Sequence, residues 1–133
     1  MTHIRENIEG HHAGEALDIL VTIEDEDVDT LDGVQASDLI GNAQEIEWVL
    51  LYEQEDPYDE AITTKTLDSG VDRDHVEAND NQFVVHVDGE SSPGQGDGVT
   101  SGKGGKTLHH RTYLIDGGGN MGVVNTGDFE VDY

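Results

Sequence analysis

Alternating aspartates give this sequence its most metal-like spacing. Asp25, Asp27 and Asp29 have the oxygen spacing with which a calcium-binding loop begins. An EF-hand also needs Gly at its sixth position and Glu at its twelfth, but these positions hold Thr30 and Ala36. The EF-hand interpretation therefore fails, which leaves a looser cation site or a solvated acidic turn.

Two pairs of adjacent histidines, His11-His12 and His109-His110, are the other groups that could bind a metal. Adjacent side chains on a strand point to opposite faces, so His109 and His110 cannot both bind one ion from one face. The sequence also lacks ligand spacings such as His-Glu-x-x-His. We therefore predict no metal site and no cofactor. The histidines are interpreted as polar strand positions or as contacts with a partner.

Groups for catalysis do not form a recognisable set. The serines lie in predicted loops and lack the sequence of a nucleophile elbow. Residues 105–107 read Gly-Lys-Thr, but a phosphate-binding loop must be followed by a helix, and a strand-like segment follows here. We predict that the protein is not an enzyme.

The charge of the chain excludes several classes of partner. Its 133 residues include 30 Asp and Glu but only 6 Lys and Arg, so the net charge is −24. A field of this sign repels nucleic acid and anionic lipid. No apolar run reaches the roughly 18 residues of a membrane helix. The absence of Cys excludes disulfides and thiolate metal sites. We expect neither nucleic-acid binding nor membrane insertion.

High net charge with only 34% hydrophobic residues is compatible with disorder or with adaptation to high salt. The apolar residues are not scattered but concentrated in short alternating runs, which favours a folded protein. In molar salt the Debye length falls to about 3 Å, and repulsion between surface carboxylates is screened. We interpret the composition as adaptation to high salt; the alternative is the acidic surface of a mesophilic calcium-binding protein.

Apolar and polar residues alternate in short runs, which is the period of half-buried strands. Turn-forming residues separate the runs, and no segment has the pattern of a helix of three turns. We therefore predict an all-β fold, a single antiparallel sandwich or small barrel of roughly six to eight short strands. The predicted strands are residues 15–23, 44–53, 61–67, 75–78, 82–88, 107–116, 121–125 and 128–133.

The same patterns predict the organisation of the domain. Residues 1–14 are interpreted as an N-terminal arm or a first edge element, and residues 15–133 as one β-sandwich domain. Residues 89–106 are rich in Gly and predict a long mobile loop. One core is expected to contain Trp48, Leu50, Phe83, Val85, Leu114 and Phe129.

The order of segments in the second half resembles a family of virus proteins. The segments are 67–71 (LDSGV), 83–88 (FVVHVD), 108–116 (LHHRTYLID), the pair Gly119-Asn120, and 126–131 (TGDFEV). This order is similar to the immunoglobulin-like N-terminal domain of upper baseplate proteins, and to related small Ig-like virion proteins, of tailed phages. The strand with Trp48, preceded by Leu31-Asp32-Gly33, matches the second strand of that family.

The resemblance covers residues 15–133 and implies an Ig-like β-sandwich that serves as a structural component of a tailed-virus particle. Its place would be the tail, baseplate, neck or capsid surface. With the acidic composition, it points to a virus of a halophilic host. The expected partners are other virion proteins and copies of this chain. The expected contacts are Lys103, Lys106, His11 and His12.

The expected location is the virion, after synthesis in the host cytoplasm, because residues 1–7 lack the apolar core of a secretory signal. The alternative is a cell-surface Ig-like module for adhesion or for binding calcium or carbohydrate.

The charge predicts that folding depends on salt. In molar KCl the protein should melt cooperatively, and at about 0.1 M salt its melting temperature should fall markedly, because 30 carboxylates then repel one another. Thermal melts followed by circular dichroism over a KCl series test this. A melting temperature that does not change with salt would contradict it.

Overall fold

The computed structural model of the protein describes residues 4–5, 8–23, 40–119 and 121–133. Its described part is nearly all β, with nine strands. The strands are β1 (Ile4–Arg5), β2 (Ile8–His12), β3 (Leu17–Thr22), β4 (Glu45–Leu51), β5 (Thr63–Leu67), β6 (Gly70–Asp72), β7 (Gln82–Val87), β8 (Thr107–Ile115) and β9 (Met121–Asp132). A 3-10 turn covers Tyr58–Glu60, and residues 40–42 are helical.

The strands form one sheet that folds into a near-barrel. Their order is β1-β9-β8-β4-β5-β6-β7-β3, with β2 also paired to β9. Strand β5 joins the two walls: its residues 63–65 pair with β4, and Thr66 and Leu67 pair with β6. One wall is therefore built on β9, β8 and β4, and the other on β6, β7 and β3.

The alternation of the sequence explains the core between these walls. Along β3 and β7, Ile19, Val21, Phe83 and Val85 face inward, and β8 contributes Leu108 and Leu114 from one face. All six residues predicted to share a core belong to one buried cluster, so that prediction is confirmed. Trp48 is fully buried near its centre, with the Phe129 ring 6.3 Å away.

Strand β4 is covered on both faces. Ile46, Trp48 and Leu50 face the main core. Val49 and Leu51 belong to a second small cluster with Tyr113 on the outer face. The strand lies between β8 and β5, which makes it a central strand.

Three features of the sheet differ from the sequence prediction. The sheet is mixed rather than purely antiparallel, because β1 and β2 pair in parallel with β9, and β5 pairs in parallel with β6. The strand predicted at 75–78 is wrong, and the short strand β6 lies before it. The two predicted strands at the end of the chain are one strand, β9, because Thr126 and Gly127 continue to pair with β8.

The described part of the predicted N-terminal arm belongs to the sheet. Strand β2 runs beside the end of β9, with His11 opposite Val131 and His12 opposite Asp132. Of the two interpretations of residues 1–14, the first edge element fits this pairing. The possible calcium loop at Asp25, Asp27 and Asp29 lies outside the described residues.

Removing a core aromatic ring should measure how much of the stability the cluster provides. Phe129→Ala is expected to lower the free energy of unfolding by about 3–5 kcal/mol, because it leaves a large cavity beside Trp48. Met121→Ala, at a side chain that is 62% exposed on the same strand, should change it by less than about 0.5 kcal/mol. Urea unfolding in molar KCl measures the free energy of unfolding of both variants. Equal decreases in the two variants would contradict the assignment of Phe129 to the core.

Candidate assembly surface

The long glycine-rich segment, residues 89–106, is a series of turns tied together by carboxylates. Glu90 accepts hydrogen bonds from the N–H groups of Gly94 and Gly96 at 3.2 and 2.8 Å, and from the Ser101 hydroxyl at 2.9 Å. The hydrogen bond from Ser101 is the main reason that the pKa of Glu90 lies below its usual range, and the bonds from the two glycines add to it. The segment predicted as a mobile loop thus has its own hydrogen-bonded structure.

A second carboxylate in the same loop has a similar role. Asp97 accepts from the Ser91 hydroxyl at 2.7 Å and from the Ser91 N–H at 3.0 Å. The hydroxyl bond is the main reason that the pKa of Asp97 is lowered. At neutral pH both carboxylates are therefore charged acceptors that satisfy the loop's own donors.

Thr100 fixes the loop to the N-terminal part of the sheet. Its side chain is fully buried, and its hydroxyl oxygen accepts from the N–H of Gly14 at 2.9 Å. The same oxygen lies 2.8 Å from Nε2 of His11. Close packing continues at Gly89, where a Cβ would clash with the backbone of Ala16. Loop and β2 therefore form one structural unit.

His11 is a core residue and not a surface contact. It is 2% exposed, and its ring meets Phe129 edge-on at 5.2 Å between centroids. Burial lowers the pKa of His11, against a smaller raising effect of Glu15. The expectation that His11 contacts a partner is corrected on this ground. Sequence alone could not show it, because strand alternation does not say which of two adjacent histidines faces inward.

The other three predicted contact residues lie on either side of the last residues of β9. His12 is exposed, with Nδ1 3.2 Å from the backbone oxygen of Tyr133. On the opposite side, Gly105 donates to Val131 O at 2.7 Å, and Val131 donates to Lys106 O at 2.9 Å. These bonds bring Lys106, and Lys103 before it, to the same end of the sheet.

We call this surface the β9 end, defined by His12, Lys103, Lys106 and Tyr133. Lys106 is exposed, while Lys103 is half-buried with its Nζ 3.4 Å from Ser101 O. Tyr133 is 94% exposed and lies against Gly104 and Gly105, where a Cβ would meet its ring. The sequence analysis missed Tyr133. An aromatic residue at the end of an alternating strand is the signal that could have pointed to it.

A pocket of about 360 Å³ lies on the outer face, between residues 52–62 and β9. Arg111 holds this segment down: its Nη2 donates to Gln54 O at 2.7 Å and its Nη1 donates to the Tyr113 hydroxyl at 2.7 Å. Nδ1 of His109, at the rim, is 3.1 Å from Asp128 Oδ1. Because these groups bond within the chain, we assign them structural roles: Arg111 fastens residues 52–62 to the sheet, and His109 links β8 to β9.

His109 and His110 face opposite sides of β8, as strand geometry requires. His110 is buried and stacks on Trp48, with ring centroids 6.1 Å apart, while His109 lies on the outer face. Within the described residues, no group of three or more His, Asp or Glu side chains is placed to hold a metal ion. Nor do those residues include a helix with the length and apolar character needed to cross a bilayer.

Comparison of the chain with protein-family models, with curated proteins and with solved structures gave no match.

The burial of His11 predicts a loss of stability in mild acid. Its pKa is below 6.5 in the folded protein, so as the pH falls through about 6.5 the unfolded chain takes up a proton that the folded chain does not. The free energy of unfolding should therefore fall from about pH 6.5 down to the lowered pKa, by at most about 1.4 kcal/mol per pH unit.

The neighbouring histidine supplies the control. His11→Gln should remove this part of the pH dependence, whereas His12→Gln, at an exposed side chain, should retain it. Urea unfolding at a series of pH values in molar KCl measures the slopes. Equal slopes for the wild-type protein and His11→Gln would contradict the prediction.

Proposed function

We propose that this protein is a structural component of a tailed-virus particle and acts through protein–protein contacts in high salt. It would belong to the tail, baseplate, neck or capsid surface of a virus with a halophilic host. Its partners would be other virion proteins and copies of itself. The proposal gives the chain no catalytic role.

The order of the strands supports an Ig-like sandwich as the fold behind this role. In Ig domains of the variable type, strands G, F, C and C′ are neighbours in one sheet, and strands B, E and D in the other. If β3 to β9 are lettered B, C, C′, D, E, F and G, one wall reads G-F-C-C′ and the other D-E-B. The two sheets of this sandwich would be joined along β5.

The buried tryptophan supports the same interpretation. Ig domains have a buried Trp on strand C, which in antibody domains packs against the disulfide between strands B and F. Trp48 is fully buried on β4, which takes the place of strand C. This chain has no Cys, and the ring of His110, on the strand that takes the place of F, stacks on Trp48 instead.

The observation that carries the assembly role is the charge and exposure of the β9 end. Lys103 and Lys106 are two of only six cations on a molecule with net charge −24. They share this surface with Tyr133, which is 94% exposed. Tyr is enriched in protein interfaces because it combines apolar area with a hydrogen-bonding group. Two lysine side chains beside an exposed aromatic ring offer an acidic partner surface both ion pairs and apolar contact.

Neutralising the two lysines tests this role without removing the loop, whose Thr100 is part of the core. A virus that encodes Lys103→Gln with Lys106→Gln should package several-fold less of this protein, measured by mass spectrometry of purified particles. The control is Asp59→Asn with Glu60→Gln, which also changes two charges on exposed residues but lies in the 3-10 turn.

Thermal melts in molar KCl should show that both double variants fold. If the lysine variant folds and enters particles at the wild-type level, the β9 end is not the assembly contact.

A further inference from the structure

Within the part of the chain that the structure describes, β3 is the last strand of the sheet and has one free edge. It pairs with β7 over its whole length, and the described residues supply no strand on its other side. The N-terminal strands β1 and β2, which precede it, pair with β9 instead. Asp18 and Leu20 are exposed, Leu20 by 41%.

The hydrogen bonds beside β3 show which of its backbone groups face this edge. Ile23 donates its N–H to Asn81 O at 2.9 Å, and Gln82 donates to Asn79 O rather than to Thr22. Hydrogen-bonded pairs alternate along an antiparallel ladder. Ile19 and Val21 therefore exchange bonds with β7, whereas the N–H and C=O groups of Asp18, Leu20 and Thr22 point away from it.

This edge lacks the features that protect most exposed strands from pairing. Residues 17–22 contain no Lys or Pro, and their pairing with β7 has no bulge. The one acidic side chain, Asp18, is paired with His86, with 2.5 Å between Oδ1 and Nδ1. Thr22 accepts from the Gln82 side chain at 3.1 Å. Leu20 lies between these two pairs and has an exposed apolar surface.

We propose that β3 is a self-association site, at which a second copy of this chain adds its own β3 in antiparallel orientation. The inference rests on the proposed assembly function and names one partner and one surface for it. The same backbone groups face outward on both copies, so the strands can pair about a two-fold axis.

The register of this pairing follows from the three outward-facing residues. Pairing Leu20 with Leu20 of the second copy puts Asp18 opposite Thr22 on both sides of the axis, and all three residues then form backbone bonds. Pairing Asp18 with Asp18 would place like charges opposite each other, which is destabilising. Leu20 therefore lies on the two-fold axis, where the two exposed side chains contact each other.

Salt controls this association because each copy carries a charge of −24. At low ionic strength the two molecules repel, whereas in molar salt the repulsion is screened and the short-range backbone bonds remain. The dimer should thus become tighter as KCl rises, opposite to the behaviour of a contact between opposite charges.

The first test uses sedimentation of the isolated protein in molar KCl. Leu20→Pro removes an outward-facing N–H without breaking the ladder to β7, and should weaken the dimer about tenfold or more. Leu20→Thr keeps the N–H and is the control for lost side-chain contact, so it should dimerise more tightly than Leu20→Pro. A wild-type protein that stays monomeric, or equal dimerisation of the two variants, would overturn the proposal.

The second test does not depend on how well proline is tolerated. Because the chain has no Cys, Leu20→Cys introduces a single thiol at the proposed axis. A short bis-maleimide should link two copies of this variant in molar KCl, but not two copies of Met121→Cys, whose side chain is 62% exposed and lies on β9, in the other wall. Equal cross-linking of the two variants, or none at Leu20→Cys, would overturn the β3 dimer. Incorporation of the protein into particles is a separate measurement. If the β3 dimer does not form, the lysine experiment still decides the proposed function.

Discussion

Thirty carboxylates repel one another on this small β-fold, and every other interaction in the protein acts against that repulsion. The chain has a single main core, built largely from Val, Ile, Leu and a few aromatic residues. Burial of this core must outweigh both chain entropy and the repulsion of a net charge of −24. Concentrated salt screens most of the repulsion between the surface charges. It leaves short-range interactions, namely apolar packing and backbone bonds, to specify the fold.

Three of the six cations bond to distant parts of the same chain. Lys65 pairs with Asp88 at 2.6 Å, where β5 passes between the two walls. Arg73 donates to the backbone oxygens of Ile40 and Ala43, and Arg111 fastens residues 52–62 to the outer face. Such bonds are charge-assisted and partly shielded, so salt weakens them less than exposed pairs. Lys103, by contrast, reaches a carbonyl oxygen only two residues away, and Lys106 is exposed, which is why their surface is proposed for assembly.

Acidic residues also contribute to the structure. Glu90 and Asp97 accept bonds from backbone N–H groups and hydroxyls of a glycine-rich loop, whose donors have no strand partner. A carboxylate is a strong acceptor for such groups. Part of the negative charge thus orders a loop that Gly and Ser alone would leave flexible.

Sequence periodicity predicted the parts of the fold that depend on which face of a strand is buried. The strands around Trp48, Phe83 and Leu114, and their common core, follow from alternation, because only one register buries the apolar face. Alternation says nothing about which strands are neighbours. The parallel pairing of β2 with β9, and of β5 with β6, therefore could not be predicted.

Local turn signals failed where long-range pairing overrides them. Thr126-Gly127 has turn-type composition, yet both residues pair with β8 inside β9. The candidate surface was predicted in part. Lys103, Lys106 and His12 meet at the β9 end, but the burial of His11 depends on Thr100, which is distant in sequence. Only the folded chain brings these two residues together.

The copy number of this protein in purified virus particles, measured by quantitative mass spectrometry against the major capsid protein, tests the proposed structural role. A structural component must be present in a fixed, reproducible ratio in particles kept in molar salt. The proposed role predicts a constant integral copy number, high for a capsid or tail-tube position and low for a neck or baseplate. Finding the protein in the cell-envelope fraction and not in particles would contradict that role and favour a cell-surface binding module.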